Sequence, residues 1–261
     1  MIKSFIRGKT MIRFGVFADL HYGRVNVADR VCVLGRKKLS HILKKIGGLP
    51  FVFNMGDLIN GDRERQVNEE LLAELREETA GYNIVNLVGN HDGFHLDKKM
   101  FCGFDDEELG AVCSFEADGI TFITLDCNFH IDGRPYDGTP GDWKDTICPQ
   151  KQIDWLKEKL DGCEKAVVCS HHPIVSMTGD PGNAHDTHLP QNFADIREAV
   201  EGSGKVLCFI AGHAHEGGMC VSGGVPYITV PAACTGNDAY CADICISGDA
   251  VTYNRHVIPV E

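Results

Sequence analysis

The sequence predicts an α/β fold built from two sheets flanked by helices. Short apolar runs rich in Val, Ile and Phe alternate with longer charged segments over the first part of the chain, which is the rhythm of parallel strands joined by helices. The last part is dominated by strand-like runs separated by glycine turns. A length of 261 residues can bury a sizeable core, and we expect a single domain over residues 1–261.

The elements of the first part follow from the pattern. Five buried strands are predicted at 12–17, 51–54, 84–88, 166–169 and 206–210. Helices are predicted at 27–46, 63–79, 150–160 and 193–200. Between 112 and 126, two apolar runs are joined by Asp118-Gly119, a dipeptide typical of a hairpin turn.

The part of the chain after residue 215 contains predicted strands and no predicted helix. These strands are at 219–221, 227–230, 244–246 and 251–258, with turns at 222–224 and 247–249. A β-rich second half favours two layered sheets over one doubly wound sheet.

Composition and net charge limit the classes of partner that we expect for this protein. The net charge is -12, and because phosphate backbones bind basic stripes, no nucleic-acid polymer is expected as a partner. No run approaches the roughly 18 apolar residues of a membrane span. Arg7 and Lys9 interrupt the start, where a signal peptide would be continuously apolar, so we expect a cytoplasmic protein with no membrane contact and residues 1–10 as a short extension. The twelve cysteines are then expected to be reduced and mostly buried.

Residues of metal-binding types follow each of the five predicted strands. Because ligands gather beyond the carboxyl ends of strands in open α/β sheets, we expect these side chains to converge at one edge of the sheet. Carboxylate, amide oxygen and neutral imidazole together suit Mn²⁺, Fe, Zn²⁺ or Co²⁺, whereas an all-oxygen set suits Mg²⁺ or Ca²⁺. Loop residues that only cap strand ends would not be expected to recur as such a set. The candidates are Asp19, His21, Asp57, Asn90, His91, His171, His213 and His215.

Two divalent ions would reverse the sign of the charge at this edge. Two ions carry four positive charges and the carboxylates of Asp19 and Asp57 carry two negative ones, so the site would be about +2 within an acidic protein. The sequence therefore predicts a small anionic substrate.

The motif series D-x-H, G-D, G-N-H-D, H-x-P and G-H-x-H, from Asp19 to His215, resembles the calcineurin-like metallophosphoesterases. That family shares an α/β/β/α sandwich and a dinuclear metal centre. The resemblance implies that one ion is held by Asp19, His21, Asp57 and His215. It implies that the other is held by Asp57, Asn90, His171 and His213. Asp57 would bridge the two ions, and His171, rather than His172, is the expected ligand of the SHHP piece.

The resemblance also implies a mechanism. Two cations lower the pKa of a bridging water and bind the non-bridging phosphate oxygens during an in-line displacement. His91 resembles the family's histidine that stabilises the phosphoryl charge and protonates the departing oxygen. Asp92 is expected either to orient an imidazole or to cap a following helical turn. Leu58, not Tyr, follows Asp57, so we expect divalent ions with Mn²⁺ first rather than the Fe³⁺ centre of purple acid phosphatases.

The expected substrate is a small nucleotide derivative. The stretch GHAHEGGMCVSGGVPYITVPA is similar to the manganese-dependent ADP-ribose/CDP-alcohol diphosphatases, which cleave a phosphoanhydride. The loops 128–149 and 176–190 are long for plain connections and are expected to roof the site. Within the first loop, Arg134, Tyr136 and Trp143 are candidate substrate contacts, although packing within the loop is an alternative.

Three other functions remain open at this point. The nearest is a phosphomonoesterase or phosphoprotein phosphatase. The next is a cyclic-nucleotide phosphodiesterase, which uses the same ligand set. The last is a metal-bound scaffold without activity, which is disfavoured because all seven ligands and His91 are present.

Overall fold

The computed structural model describes residues 11–103, 106, 109–136, 142–177 and 186–260. The extension at 1–10 and parts of the two long loops lie outside these residues. The helices are α1 (Gly35–Ile46), α2 (Arg65–Thr79), α3 (Lys99–Cys102), α4 (Gln150–Asp161) and α5 (Phe193–Gly202). The strands are β1 (Met11–Phe17), β2 (Val52–Asn54), β3 (Ile84–Asn86), β4 (Ser114–Ala117), β5 (Ile120–Leu125), β6 (Phe129–His130), β7 (Thr146–Ile147), β8 (Ala166–Ser170), β9 (Val206–Ala211), β10 (Gly218–Ser222), β11 (Val225–Thr229), β12 (Ala239–Ser247) and β13 (Ala250–Ile258).

The strands form two mixed sheets, as predicted. The first sheet has the order β13-β12-β1-β2-β3, in which β1, β2 and β3 are parallel. The second has the order β10-β11-β9-β8-β5-β4, with a parallel centre from β11 to β5. Strands β6 and β7 pair separately. The five motif-bearing strands are thus divided between the sheets, so the ligand loops come from two sheet edges and not from one.

Three apolar layers hold the sheets and helices together. One layer lies between the sheets and contains a cluster of phenylalanine rings with centroids 5.1 to 6.2 Å apart, formed by Phe14, Phe51, Phe53, Phe115 and Phe122. A second layer joins the first sheet to α1 and α2, and a third joins the second sheet to α4 and α5. The result is an α/β/β/α sandwich.

Side-chain alternation along β1 shows how one strand serves two layers. Ile12, Phe14 and Val16 face the second sheet, whereas Phe17 packs with α1 on the other side. A side-chain period of two residues places successive residues on opposite faces of a strand. The strand is therefore buried on both faces from Phe14 to Phe17, where its sequence is continuously apolar, whereas Arg13 before this stretch is exposed.

Local turn chemistry confirms the predicted hairpin between β4 and β5. Asp118 has φ +48° and Gly119 has φ +74°. A two-residue hairpin turn of the favoured primed type needs positive φ at both central positions, which Asp-Gly supplies.

The helix predicted at 27–46 begins only at Gly35. The residues before it form a bridge between Val27 and Arg30 and a 3-10 turn at Cys32–Leu34. The backbone N–H of Val31 donates to the carbonyl of Cys234 at 2.9 Å, so this segment is tied to the loop after β11 instead of continuing the helix. Tertiary hydrogen bonds have overridden the helical pattern here, and they bring Arg30 to the motif residues.

Two further features of the described residues bear on the sequence predictions. All twelve cysteines are free thiols, and Cys169 and Cys208 are fully buried between the sheets, whereas Cys113 and Cys245 are only half-buried. Across the ranges that the structure describes, no helix combines the length and apolar character needed to cross a membrane.

Candidate metal centre

The loops that follow β1, β2 and β9 hold four of the predicted ligands in the left-handed backbone region. The angle φ is +53° at Asp19, +46° at His21, +55° at Asp57 and +67° at His213. A residue with a Cβ atom pays about 1 kcal/mol or more in this conformation, and such residues cluster at functional sites. Backbone bonds between the loops support it, since Asp19 N donates to Gly56 O at 3.0 Å and His21 N to Asp57 O at 2.9 Å.

Three motif glycines provide the space that ligands of other motifs occupy. Real Cβ atoms essentially never approach another heavy atom within 3.0 Å. An added Cβ would fall below that limit in three places: at 2.6 Å from His171 Nδ1 for Gly56, at 2.1 Å from Asp57 Oδ1 for Gly89, and at 2.8 Å from Asp19 Oδ2 for Gly212. Each glycine that precedes a ligand in the sequence is therefore required by a ligand from another part of the chain.

The first group of donor atoms surrounds the imidazole of His21. Its Nε2 lies 3.4 Å from Asp57 Oδ2, 3.9 Å from Asp19 Oδ1 and 3.2 Å from His215 Nε2. Asp19 Oδ1 is also 3.7 Å from His215 Nε2. Donor atoms about 2.1 Å from a tetrahedral ion are about 3.4 Å apart, so this spacing fits one divalent ion.

The second group shares Asp57 with the first. Asp57 Oδ2 lies 3.5 Å from His171 Nε2, and that nitrogen lies 3.1 Å from Asn90 Oδ1. Donor atoms of Asp57, His171 and His213 lie within 4.8 Å of one another. In contrast, His172 belongs to none of the candidate donor groups found among the described residues, and its ring packs on that of His213. The geometry therefore favours His171 over His172 as a donor.

The carboxylates of the site are buried, so a bound cation would stabilise their charged form. Asp19, Asp57 and Asp92 are at most 1% exposed. Burial, together with the charge of Asp57, raises the pKa of Asp19 and of Asp92 to about 7. Burial opposes ionisation of Asp57 as well, but His171, His91 and His21 together hold its pKa well below the usual value. The oxygen and nitrogen donors and the buried negative charge thus fit divalent transition-metal ions.

His91 stands beside the donor groups with its ring orientation fixed. Its Nδ1 lies 2.6 Å from the carbonyl oxygen of Asn60, and because a carbonyl only accepts, Nδ1 carries the hydrogen. Its Nε2 lies 3.2 Å from Nη1 of Arg30, which is also 3.3 Å from Nδ1 of His21. His91 N donates to Asp57 Oδ1 at 2.8 Å. The imidazole therefore presents Nε2, next to a guanidinium, at the edge of the centre.

Asp92 has different contacts from those predicted for it. Its carboxylate accepts hydrogen bonds from the backbone N–H groups of Asp57, Leu58, Ile59 and Gly89, at 2.8 to 3.1 Å. It contacts no imidazole in these bonds and does not cap a helix. Asp92 instead clamps the loop after β2 to the loop after β3, which fixes the position of Asp57, and the carbonyl of Asn60 takes the orienting role expected of Asp92.

A cavity of about 570 Å³ opens over the centre, and we call it the metal cleft. Its lining includes Arg30, Asp57, His91, Trp143 and His188. The ring of Trp143 lies 5.4 Å from that of His213 and 5.7 Å from that of His188. A volume of this size suits a nucleotide-sized ligand.

The three predicted substrate contacts differ in their positions. Trp143 lines the metal cleft. Tyr136 is 5% exposed and borders a neighbouring cavity. Arg134 has a 71% exposed side chain, pairs with Asp132 at 2.7 Å and lines neither of these cavities, so the structure gives no support to a substrate contact for it.

Comparison with known proteins agrees with this geometry. The sequence model of calcineurin-like phosphoesterases matches residues 12–217, which contain every motif described above. The chain belongs to the calcineurin-like phosphoesterase family. As a member of that family it is a metal-dependent phosphoesterase, and the disfavoured alternative of a scaffold without activity is not supported.

Relatives of this phosphoesterase share a common name. A manganese-dependent ADP-ribose/CDP-alcohol diphosphatase of Arabidopsis thaliana is 22% identical over 85% of this chain and 86% of its own length. The mouse protein of the same name is 36% identical, over 26% of this chain and 20% of its own length. A dimetal phosphatase from Danio rerio has a similar structure, with a TM-score of 0.74 at 18% identity over 97% of this chain and all of its own. The last likeness shows the fold.

The sequence did not reveal two groups at this phosphoesterase site. Arg30 lies in a segment predicted to be helical, and only its position nine residues after His21 links it to a motif. Asn60 acts through its backbone carbonyl, so its residue type carries no signal. Both are brought to His91 by backbone hydrogen bonds between distant loops, such as Asn60 N to Tyr22 O at 2.9 Å.

Proposed function

We propose that this centre holds two divalent ions, with Mn²⁺ preferred, and hydrolyses a phosphodiester or phosphoanhydride bond in a small nucleotidic substrate. The proposed ligands of one ion are Asp19, His21, Asp57 and His215. Those of the other are Asp57, Asn90, His171 and His213. The observation that carries the proposal is the shared oxygen, because Asp57 Oδ2 lies 3.4 Å from His21 Nε2 and 3.5 Å from His171 Nε2. When bound, two such ions supply an activated water and bind phosphate oxygens.

The protein's own groups are placed to handle the phosphate. Arg30 lies beside His91 and lines the metal cleft, so its guanidinium can bind a phosphoryl oxygen at the same place. His91 keeps its Nδ1 hydrogen on Asn60, and its Nε2 accepts from Arg30 Nη1 at 3.2 Å. Nε2 must therefore first take up a proton, which it then delivers to the departing oxygen. Because the protein has a net charge of -12, the guanidinium of Arg30 is a local positive charge in an acidic protein, and it attracts an anionic substrate to the centre.

The substrate class is supported by the relatives and by the size of the cleft. Relatives from plant and animal species are named manganese-dependent ADP-ribose/CDP-alcohol diphosphatases. A metal cleft of about 570 Å³ has room for more than a bare phosphate. Trp143 offers an aromatic face near the centre, where a base or a sugar could pack.

A side-by-side turnover assay tests this proposal. Metal-stripped protein is reloaded with Mn²⁺ and assayed on ADP-ribose, CDP-choline, bis-p-nitrophenyl phosphate, cyclic AMP and p-nitrophenyl phosphate. We expect the highest kcat/KM on ADP-ribose or CDP-choline. A preference for the monoester would reassign the protein as a phosphatase, and a preference for cyclic AMP would make it a cyclic-nucleotide phosphodiesterase.

The ligand assignment needs its own control. Asn90→Ala should lower the bound metal from two ions per chain and abolish most turnover. Full metal content together with wild-type turnover would remove Asn90 from the ligand set. His41→Ala is a matched substitution, because His41 lies on α1 and bonds only the backbone oxygen of Lys37 among the described contacts.

A further inference from the structure

A second cavity adjoins the metal cleft at His91. It measures about 520 Å³, and we call it the side cleft. The two clefts share Asn90, His91 and Trp143. The side cleft extends from there to Phe94 and Arg63. A ligand centred at His91 can therefore place one arm in each cleft.

The arginines in and beside the side cleft differ in whether a carboxylate pairs with them. Arg24 pairs with Glu74 at 2.6 Å. Arg65, two residues from Arg63, pairs with Glu69 at 2.7 Å. Arg63 is exposed and has no ion pair or hydrogen bond within the described structure. It also borders the next cavity along, which contains His95.

An unpaired guanidinium is informative in this position. The protein is acidic, and two acidic side chains, Asp62 and Glu64, flank Arg63 in sequence and line the same cleft. Asp62 Oδ1 accepts the backbone N–H of Glu64 at 2.9 Å, so this carboxylate is engaged in the local turn and not with Arg63. The five N–H donors of Arg63 thus remain available to a ligand, and a phosphate matches the fork of a guanidinium.

The direction of the reaction decides which arm meets Arg63. In an in-line displacement the attacking oxygen and the departing oxygen lie on opposite sides of phosphorus. The departing oxygen must lie next to Nε2 of His91, because that nitrogen supplies its proton. The group attached to the departing oxygen then continues past His91, which leads into the side cleft and toward Arg63.

We infer that the side cleft binds the leaving arm of a phosphoanhydride, with Arg63 holding the phosphate that departs. This inference rests on the proposed function and makes it more specific. The oxygen of water forms a new P–O bond and releases a proton to solvent, the P–O bond to the bridging oxygen breaks, and that oxygen takes the proton that Nε2 of His91 has taken up. Both products are phosphate monoesters, and the one in the side cleft keeps its negative charge. An alcohol or phenol that departs carries no such charge for Arg63 to bind.

The apolar part of the side cleft fits the rest of such an arm. Val25 is 65% exposed, and Phe94 is half-buried with its ring close to that of His95. Val25 and Phe94 both line the side cleft. A sugar or base attached to the departing phosphate would cover them, which removes exposed apolar surface from water.

The test compares two substrates that differ in the leaving arm. Mn²⁺-loaded wild type, Arg63→Met, Arg63→Lys and Arg65→Met are assayed on ADP-ribose and on bis-p-nitrophenyl phosphate, whose leaving group has no phosphate. In Arg63→Met, kcat/KM for ADP-ribose divided by kcat/KM for bis-p-nitrophenyl phosphate should fall about tenfold relative to wild type, which corresponds to about 1.4 kcal/mol. Arg63→Lys should recover part of that ratio, and Arg65→Met should match wild type.

The outcomes separate this inference from the proposed function. Turnover of ADP-ribose with an unchanged ratio in Arg63→Met, or equal changes in Arg63→Met and Arg65→Met, would overturn the role of Arg63 and leave the diphosphatase activity standing. Wild-type turnover of diesters with none of any phosphoanhydride would overturn the leaving-arm inference while keeping a phosphodiesterase. Turnover of monoesters alone would overturn both. All variants are at exposed side chains, so metal content should stay at the wild-type value.

Discussion

Gly89→Ala should dismantle the metal centre although it removes no ligand. The substitution adds one methyl group beside the carboxylate that both proposed ions share. That methyl carbon would lie 2.1 Å from Asp57 Oδ1 and 2.3 Å from Asp57 N, where ordinary contact begins at 3.4 Å. Neither atom can move away freely, because Asp57 is buried and its backbone N–H donates to the carboxylate of Asp92 at 2.8 Å.

The size of the effect follows from the displacement. Asp57 must move by about 1 Å or more to restore contact distance, and a misplacement of about 1 Å at a reacting centre can cost about 100-fold in rate. Movement of Asp57 also disturbs the bond from His91 N to Asp57 Oδ1, so the imidazole shifts with it. We therefore expect kcat/KM to fall at least about 100-fold and metal content to drop. Overpacking should also lower the free energy of unfolding by about 1 to 3 kcal/mol.

Metal analysis by mass spectrometry and turnover of bis-p-nitrophenyl phosphate measure the two effects on the same sample. Gly202→Ala is the matched control, since an added Cβ there has no neighbour within 4 Å and the residue ends α5. It should keep both ions and wild-type turnover. Gly89→Ala with two ions per chain and full activity would refute the argument that Gly89 makes room for Asp57.

Three further substitutions test separate contacts. His91→Ala should keep the metals and slow substrates with poor leaving groups by about 100-fold or more, but bis-p-nitrophenyl phosphate much less; equal losses in kcat would exclude His91 as the proton donor. Arg30→Met should lower kcat/KM for ADP-ribose by about tenfold or more, with incomplete recovery in Arg30→Lys because lysine lacks the planar fork, and unchanged kcat/KM would contradict its phosphate contact. Asp243→Asn should lower the free energy of unfolding at pH 7 by about 2 kcal/mol, because the carboxylate is bonded by Arg13 at 2.9 Å and by two other side chains. Arg13 above all lowers the pKa of Asp243, so the stabilisation by this carboxylate is present above pH 3.8 and is lost as the pH falls toward the folded pKa. Urea titrations measure the difference in the free energy of unfolding between wild type and Asp243→Asn, with Glu116→Gln as the exposed control. A difference that stays constant down to pH 2 would contradict this prediction.

The strands and motif positions were predictable because both depend on local sequence. Each buried parallel strand is a short run of branched and aromatic residues, and each ends where a polar motif begins. The start of α1 was not predictable, because the bond from Val31 N to Cys234 O joins residues that are far apart in sequence. A helical pattern alone contains no information about that competing partner.

The functional details that escaped the sequence have the same origin. Asp57 and Gly89 belong to different motifs, and nothing in either motif shows that one must accommodate the other. The orienting group of His91 is the backbone carbonyl of Asn60, which every residue type possesses. Asp92 was expected near an imidazole because it follows His91 in the chain, yet its carboxylate turns toward four backbone N–H groups. Its position next to His91 in the sequence identified Asp92 as a residue of the site but did not identify the groups that it bonds.

Removal of the metal should destabilise the protein more at neutral pH than in mild acid. Without ions, Asp19 and Asp92 have pKa values raised to about 7 by burial, so the folded chain binds more protons than the unfolded chain between pH 3.8 and pH 7. The contribution of these two carboxyl groups to the stability of the metal-free protein therefore falls as the pH rises through that window. Burial lowers the pKa values of His21, His213 and His215, so their contribution to stability rises with pH up to about pH 6.5, but it is shared by the loaded and the metal-free protein. His171 acts in the same direction as Asp19 and Asp92: burial lowers its pKa, but Asp57 and Asp19 raise it to about 9, and the resulting stabilisation is full below pH 6.5 and is lost toward pH 9. Asp57 itself titrates below pH 3.8, outside this range.

Ions bound at the carboxylates compensate the same charges, and they bind more tightly as Asp19 and His171 lose their protons. The melting temperature of Mn²⁺-loaded protein should therefore exceed that of chelator-treated protein by a margin that widens from pH 5.5 to pH 7.5. At a free ion concentration 100 times the dissociation constant, the stabilisation is about 2.7 kcal/mol per site. Asp57→Asn should lose most of that margin at every pH, because it removes the shared carboxylate. A margin in the wild type that stays constant or narrows over this range would show that the buried carboxylates are not neutralised by the metals.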